Sequence, residues 1–245
     1  MANRIGKLAL VFTAGLAGTN VYGGTIYNAA LGSLPQAQGF IYSGDQGNPP
    51  PHVSGGILFS NKTVTATSES WSEADSTINF ANSFVIEGDI LINSSNFVPN
   101  GGDGSSREGY YLFASDTTGA AYSVGLTSTG FVINDYPSGT LVPYPTTSGF
   151  HLYDLAVLHG LATFSVDGTV LATGIAPEPY GQAFGSVIFG ASSGLSLSNT
   201  ETSFVCTGSG SACSAAAPEP ASWTLALGFV VALAISRVRT RLFHG

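Results

Sequence analysis

From Thr63 onward the chain is a succession of segments five to nine residues long in which apolar and polar residues alternate, separated by Gly, Asn, Asp and Ser. A period of two is the signature of a strand with one buried face, and no stretch of comparable length carries the 3.6-residue period of a helix. The alternation predicts strands over 64–68, 83–92, 109–115, 121–127, 131–134, 153–158, 161–166, 169–173 and 185–189. A last strand over 202–205 closes the set. Short strands at this spacing predict an all-β sandwich or barrel, and an antiparallel β-sandwich is the expected fold. Turn chemistry supports it: Asp116-Thr117-Thr118-Gly119, Ser128-Thr129-Gly130, His159-Gly160 and Asp167-Gly168 each join two such segments, and Asp-Gly is a strong two-residue hairpin signal. Residues 24–60, with Pro49-Pro50-Pro51 and scattered Gly, read as loop-rich, with short apolar pieces at 39–42 and 56–59 that are each a strand candidate. Pro177-Glu178-Pro179 has no apolar run behind it and reads as a loop.

The two ends of the chain read differently. Residues 1–23 have a basic start (Arg4, Lys7) and then eleven apolar or small residues from Leu8 to Gly18, too few to span a bilayer. This is the pattern of a secretory signal peptide, with cleavage expected before Gly24. At the far end, Ala221 to Ser236 is a run of sixteen residues without a charge. As a helix it would reach about 24 Å, close to the ~30 Å hydrocarbon core, with Trp223 at one interface. Arg237, Arg239 and Arg241 follow it, which predicts a cytoplasmic C-terminus and an exported body. The expected organisation is therefore a signal peptide (1–23), a sandwich (24–205), a Ser/Gly/Ala-rich spacer (206–217) and a tail (218–242) holding one transmembrane helix (221–236).

Charge excludes several partners. The whole chain carries −8, but residues 24–217 hold only Lys62 and Arg107 against fourteen Asp and Glu, a body of net charge −12. That argues against nucleic acid and against anionic membrane surfaces. Cys206 and Cys213 are the only cysteines, and outside the cytoplasm such a pair is expected to close a small disulfide loop.

The residues just named carry two resemblances. Pro218-Glu219-Pro220, the apolar run and the arginines, in that order and at that end, resemble the PEP-CTERM sorting signal. The resemblance implies exosortase as a partner, tethering to the inner membrane before processing, and delivery to the cell surface or an exopolysaccharide matrix. Within the body, Phe84-Val85-Ile86-Glu87-Gly88-Asp89-Ile90, the stretch Ala162 to Leu171 with its Val-Asp-Gly turn, and Gly185 to Gly190 follow one another in an order similar to the strands of concanavalin A-like (laminin-G-like) jelly rolls. This second resemblance implies a jelly roll associated with carbohydrate.

Candidate chemistry is sparse. Glu87 and Asp89, two apart on a strand, share a face. The motif they resemble in jelly-roll glycoside hydrolases, E-x-D-x-x-E, would place the acid–base at position 92, which is Ile92. Without that proton donor the pair is expected to be a solvent-facing pair on a sheet edge. His151 and His159 lie at opposite ends of one expected strand, with Phe150 and Leu152 as its core residues. No G-x-S-x-G accompanies them, and nothing selects a Ser-His-Asp triad. Asp103, Glu108, Asp116 and Asp135 fall in or beside loops, so structural Ca²⁺ is the one cofactor left open, with no metal ligand set assigned. Tyr110, Tyr122 and Tyr136 are the candidate sugar-stacking residues, because an exposed ring offers an apolar platform with a polar handle. The expectation is a non-enzymatic structural or carbohydrate-associating matrix protein, with a glycoside hydrolase or lyase as the alternative.

Overall fold

The computed structural model describes residues 26–44, 47–64, 68–98, 107–134, 141–179, 183, 185–191, 197–208 and 213. The segments expected to be a signal peptide (1–23) and a sorting tail (218–242), together with Tyr136, Asp103 and Asp135, lie outside the described residues. Among the described residues no helix is long and apolar enough to cross a membrane.

The period-two segments do become strands. In chain order they are β1 (Ile26–Asn28), β2 (Ile41–Gly44), β3 (His52–Ser54), β4 (Ile57–Lys62), β5 (Glu69–Ala74) and β6 (Phe84–Ser95). Then come β7 (Phe97–Val98), β8 (Arg107–Glu108), β9 (Tyr110–Ser115), β10 (Ala120–Thr127), β11 (Gly130–Ile133) and β12 (Val142–Pro143). The last are β13 (His151–Leu158), β14 (Leu161–Val166), β15 (Thr169–Ile175), β16 (Glu178–Pro179), β17 (Ser186–Ala191) and β18 (Ser198–Gly208). Two eight-stranded antiparallel sheets result. The first runs β15-β14-β13-β6-β18-β4-β3, with β1 also on β18; the second runs β12-β11-β10-β9-β17-β5-β2, with β16 also on β10. This is the expected all-β two-sheet sandwich.

Local turn chemistry fixes the hairpins. His159 and Gly160 have φ of 50° and 74°, and Asp167 and Gly168 have 52° and 75°. Two successive positive φ values match the right-handed twist of the strands they join.

Of the strand expected over 64–68, Val64 and Ser68 belong to no strand and residues 65–67 lie outside the described residues. Three expectations are corrected. Residues before 60 are less loop-rich than expected: the strand candidates at 39–42 and 56–59 become β2 and β4, and β1, β3 and two 3-10 turns are added to them. Glu178 and Pro179 pair with Ala121 and Ala120 as an edge strand, where a proline's missing N–H is tolerated. The spacer begins later than position 206, because β18 continues to Gly208 opposite Val85.

The core lies between the sheets. Phe189 of the second sheet meets Trp71 at 5.4 Å and Tyr27 of the first sheet at 5.7 Å, both stacked. Toward the other end Phe131 meets Phe164 across the sandwich at 4.7 Å. Such ring pairs add about 0.5–1.5 kcal/mol each beyond their area. Polar groups inside are tied across the layers: Ser60 donates to Glu69 Oε1 at 2.8 Å, and the Ser95 hydroxyl donates to the Leu126 carbonyl at 2.8 Å.

Candidate functional site

β6 runs down the middle of the first sheet, hydrogen-bonded to β13 on one side and β18 on the other. Ile86, Ile90 and Ile92 turn into the core, so the intervening Glu87 and Asp89 must emerge on the opposite, outer face. The pair therefore does not stand on a sheet edge, and it is half-buried rather than fully solvated. Both neighbours contribute. In one rung Ser165, Asp154, Glu87 and Cys206 lie side by side; in the next, Leu152, Asp89 and Phe204. Asp154 thus faces Glu87 directly from the adjacent strand.

A register shift in β18 between Thr202 and Phe204 leaves Ser203 as the extra residue, and its hydroxyl hydrogen-bonds Asp89. Bulges of this kind commonly re-aim a side chain. Ser165 donates to Asp154 Oδ2 at 3.3 Å, while Asp154 Oδ1 is buried with no partner among the described residues. Next to the carboxylates, Val85, Phe204, Cys206 and Cys213 form a small apolar cluster flanked by Leu152 and Ala156. A disulfide joins Cys206 to Cys213, whose Cα atoms are 5.4 Å apart.

Burial sets the proton affinities. It raises the Glu87 carboxyl above its ordinary value, and the charge of Asp154 raises it further. Burial also raises Asp154, outweighing the Ser165 hydrogen bond. Asp89 is raised by burial against its Ser203 bond, with smaller opposed effects from Asp167 and His151. Three carboxyls that hold protons more tightly than free carboxyls, two of them face to face, are the ingredients of general acid–base chemistry.

The tyrosines fare otherwise. Tyr110 is 0% exposed, between the sheets, with its hydroxyl 2.9 Å from Thr202 Oγ1. Tyr122 is equally buried and donates to the Gly160 carbonyl at 2.9 Å. Neither offers a face to a sugar, which corrects their assignment as stacking platforms. Asp116 is consumed by its own turn, accepting from the amides of Thr118, Ala120 and Phe80. Among the described residues no three His, Cys, Asp or Glu converge as a metal site.

Sequence reasoning missed Asp154. Its only signal is a lone charge in an otherwise apolar strand, HLYDLAVL. Placing it beside Glu87 needs the β6–β13 pairing, which no local pattern announces.

No family model matches the chain, and no curated protein matches it. Solved structures do resemble the fold. A sialidase superposes with a TM-score of 0.53 at 11% identity, over 79% of this chain and 19% of the sialidase. A structure described as that of endo-acting O-glycanases, expressed by prominent members of the human gut microbiota to initiate mucin breakdown, gives 0.50 at 12% identity, over 77% of this chain and 99% of that one. Apo Crh5 transglycosylase gives 0.49 at 13%, over 76% and 84%. At these identities the likeness is one of fold. It overturns the expectation of a non-enzymatic protein, which rested on the missing carboxylate at position 92: the sandwich is one that glycan-cleaving enzymes also use.

Proposed function

We propose that the protein is an exported β-sandwich acting on the glycosidic bonds of an extracellular polysaccharide, with Glu87, Asp89 and Asp154 as its working carboxylates. The observation that carries this reading is Asp154 standing directly across from Glu87 on one outer face. Directly opposed residues on antiparallel strands have Cα atoms about 4.5–5.5 Å apart. Neighbouring side chains at that backbone separation can reach one glycosidic bond together, and we assign them the retaining mechanism, in which one carboxyl is the nucleophile and the other the acid–base. Burial and the neighbouring Asp154 charge both favour the protonated form of Glu87. The protonated member donates to the leaving oxygen while the ionised member attacks the anomeric carbon. Asp89, held by Ser203, orients the sugar beside them. The acid–base sought along the strand at Ile92 is thus supplied across the strands.

Export belongs to the same proposal. The signal-peptide pattern at 1–23 supports it, as does the resemblance of residues 218–242 to an exosortase-read tail. The Cys206–Cys213 disulfide fits an oxidising compartment. The substrate class is then the exopolysaccharide of the producing cell.

Purified full-length protein incubated with that polysaccharide is expected to release new reducing ends. Glu87→Gln and Asp154→Asn are each expected to lower the rate about 10²-fold or more, the scale of a lost acid–base group. Release at the wild-type rate from the double variant would remove the proposal.

A further inference from the structure

At the end of β13, away from Glu87, a second constellation forms that the glycosidic reading does not use. His151 Nδ1 lies 2.7 Å from Asp167 Oδ2, and His151 Nε2 lies 2.9 Å from the hydroxyl oxygen of Ser148. We propose that Ser148, His151 and Asp167 form a nucleophile–base–orienter centre that hydrolyses carboxylic esters of small acyl groups.

The three parts are positioned by different elements. Asp167 sits in the β14–β15 turn in the left-handed region, and its other oxygen accepts the Leu152 amide at 2.9 Å, so the carboxylate is held from two sides. Burial alone would raise that carboxyl, but the His151 hydrogen bond, the Leu152 amide and the imidazole charge outweigh it, and it lies below its ordinary value. An ionised carboxylate only accepts, so Nδ1 carries a proton, and in the neutral tautomer this selects, the Nε2 lone pair is left for the serine hydroxyl. The imidazole side chain is only 12% exposed, with Tyr144 edge-on at 5.7 Å and Tyr153 at 6.1 Å fixing its plane. Ser148, three residues upstream, is exposed. This is the order of contacts a Ser-His-Asp centre requires, and such centres are recognised by geometry rather than by chain order.

The Pro145 carbonyl completes the arrangement. It lies 2.8 Å from the Ser148 hydroxyl and 3.2 Å from His151 Nε2. At rest the serine proton has two acceptors, and a rotation about one bond turns it to the imidazole. Once the imidazole has taken that proton, the same carbonyl accepts from Nε2–H and stabilises the cation. Gly149 follows the nucleophile with φ +155°, and a side chain there would meet nothing within 4 Å. Its amide has no partner among the described residues, in the place where the residue after a nucleophile supplies an oxyanion donor. Phe150, next along, is 38% exposed and offers an apolar surface to an acyl group.

The chemistry balances without a cofactor. The Ser148 oxygen attacks the ester carbonyl carbon as His151 takes the hydroxyl proton. The acyl C–O bond breaks, and the departing alkoxide takes that proton from the imidazolium. Water, deprotonated by His151, then cleaves the acyl-serine to give the free carboxylic acid and restore Ser148. Because the centre lies open at the surface, the substrate is an exposed ester, such as an O-acyl substituent on a polymer, rather than an engulfed small molecule.

The test uses the full-length folded protein with a fluorophosphonate probe and p-nitrophenyl acetate. One covalent adduct per chain, mapped to Ser148 by peptide mass, is expected. Ser148→Ala should abolish the adduct and lower ester turnover at least 10²-fold while melting like the wild type, since Ser148 is exposed. Asp167→Asn should lower turnover about 10²–10⁴-fold. If Ser148 stays unlabelled and the wild type turns over the ester no faster than Ser148→Ala, the three residues are a surface clamp and the proposal falls. A drop in melting temperature on Asp167→Asn without labelling of Ser148 overturns it as well.

Discussion

Tyr110 shows how one side chain's role depends on which way its strand faces. Its ring would serve a sugar if turned outward; turned inward, its hydroxyl instead bridges the two sheets through Thr202. Burial pushes that hydroxyl's pKa well above the usual phenol value, so it stays a neutral hydrogen-bonding group. Tyr110→Phe keeps the packing and removes the bridge. It is expected to cost about 1–3 kcal/mol, because the Thr202 hydroxyl is left buried without its partner. Urea unfolding measures the loss, and polysaccharide binding by the same variant should not change. A loss of binding at unchanged stability would return Tyr110 to the glycan site. Phe150 and Leu152 reverse the pattern: expected in the core, they lie on the outer side, while His151 and Tyr153 turn the other way.

Between elements, the decisive contact is β6 against β13. Glu87 and Asp154 are raised in the folded protein, so between the ordinary carboxylate pKa and the raised native values the folded chain binds more protons than the unfolded one. Stability contributed by these groups is therefore present at low pH and lost as pH rises through the native pKa values. Calorimetric melting of the wild type is expected to shift upward as pH falls from neutrality toward the ordinary carboxylate range. In Asp154→Asn that rise should flatten and melting at pH 7 should move up, since a charge repelling Glu87 is gone. Flattening is partial, because Asp89 and the buried Glu69 are raised as well. An unchanged pH profile in the variant would mean that Asp154 is neither raised itself nor raises Glu87.

For the molecule as a whole, the question is where it acts. We propose that exosortase cuts the tail at Pro218-Glu219-Pro220 and that the sandwich is delivered to the surface or matrix. The mature protein from its native host should then be lighter by roughly 2.5–3 kDa at the C-terminus, on the usual mean residue mass. That loss should disappear when exosortase is absent. An intact tail in the inner-membrane fraction of both strains would end the sorting proposal while leaving the sandwich chemistry untouched.

The all-β class, most of the strands after Thr63 and the hairpins at His159-Gly160 and Asp167-Gly168 are legible in the chain alone. These depend on local rules: a period of two and residues that accept positive φ. The buried face of each strand was settled only by packing, because a period of two says that alternate residues share a side and not which side. Likewise, no local rule could bring β13 beside β6. That neighbour follows from the summed packing of the sheets, and the Glu87–Asp154 centre depends on it, whereas His151 reaches Asp167 through the β13–β14 hairpin itself.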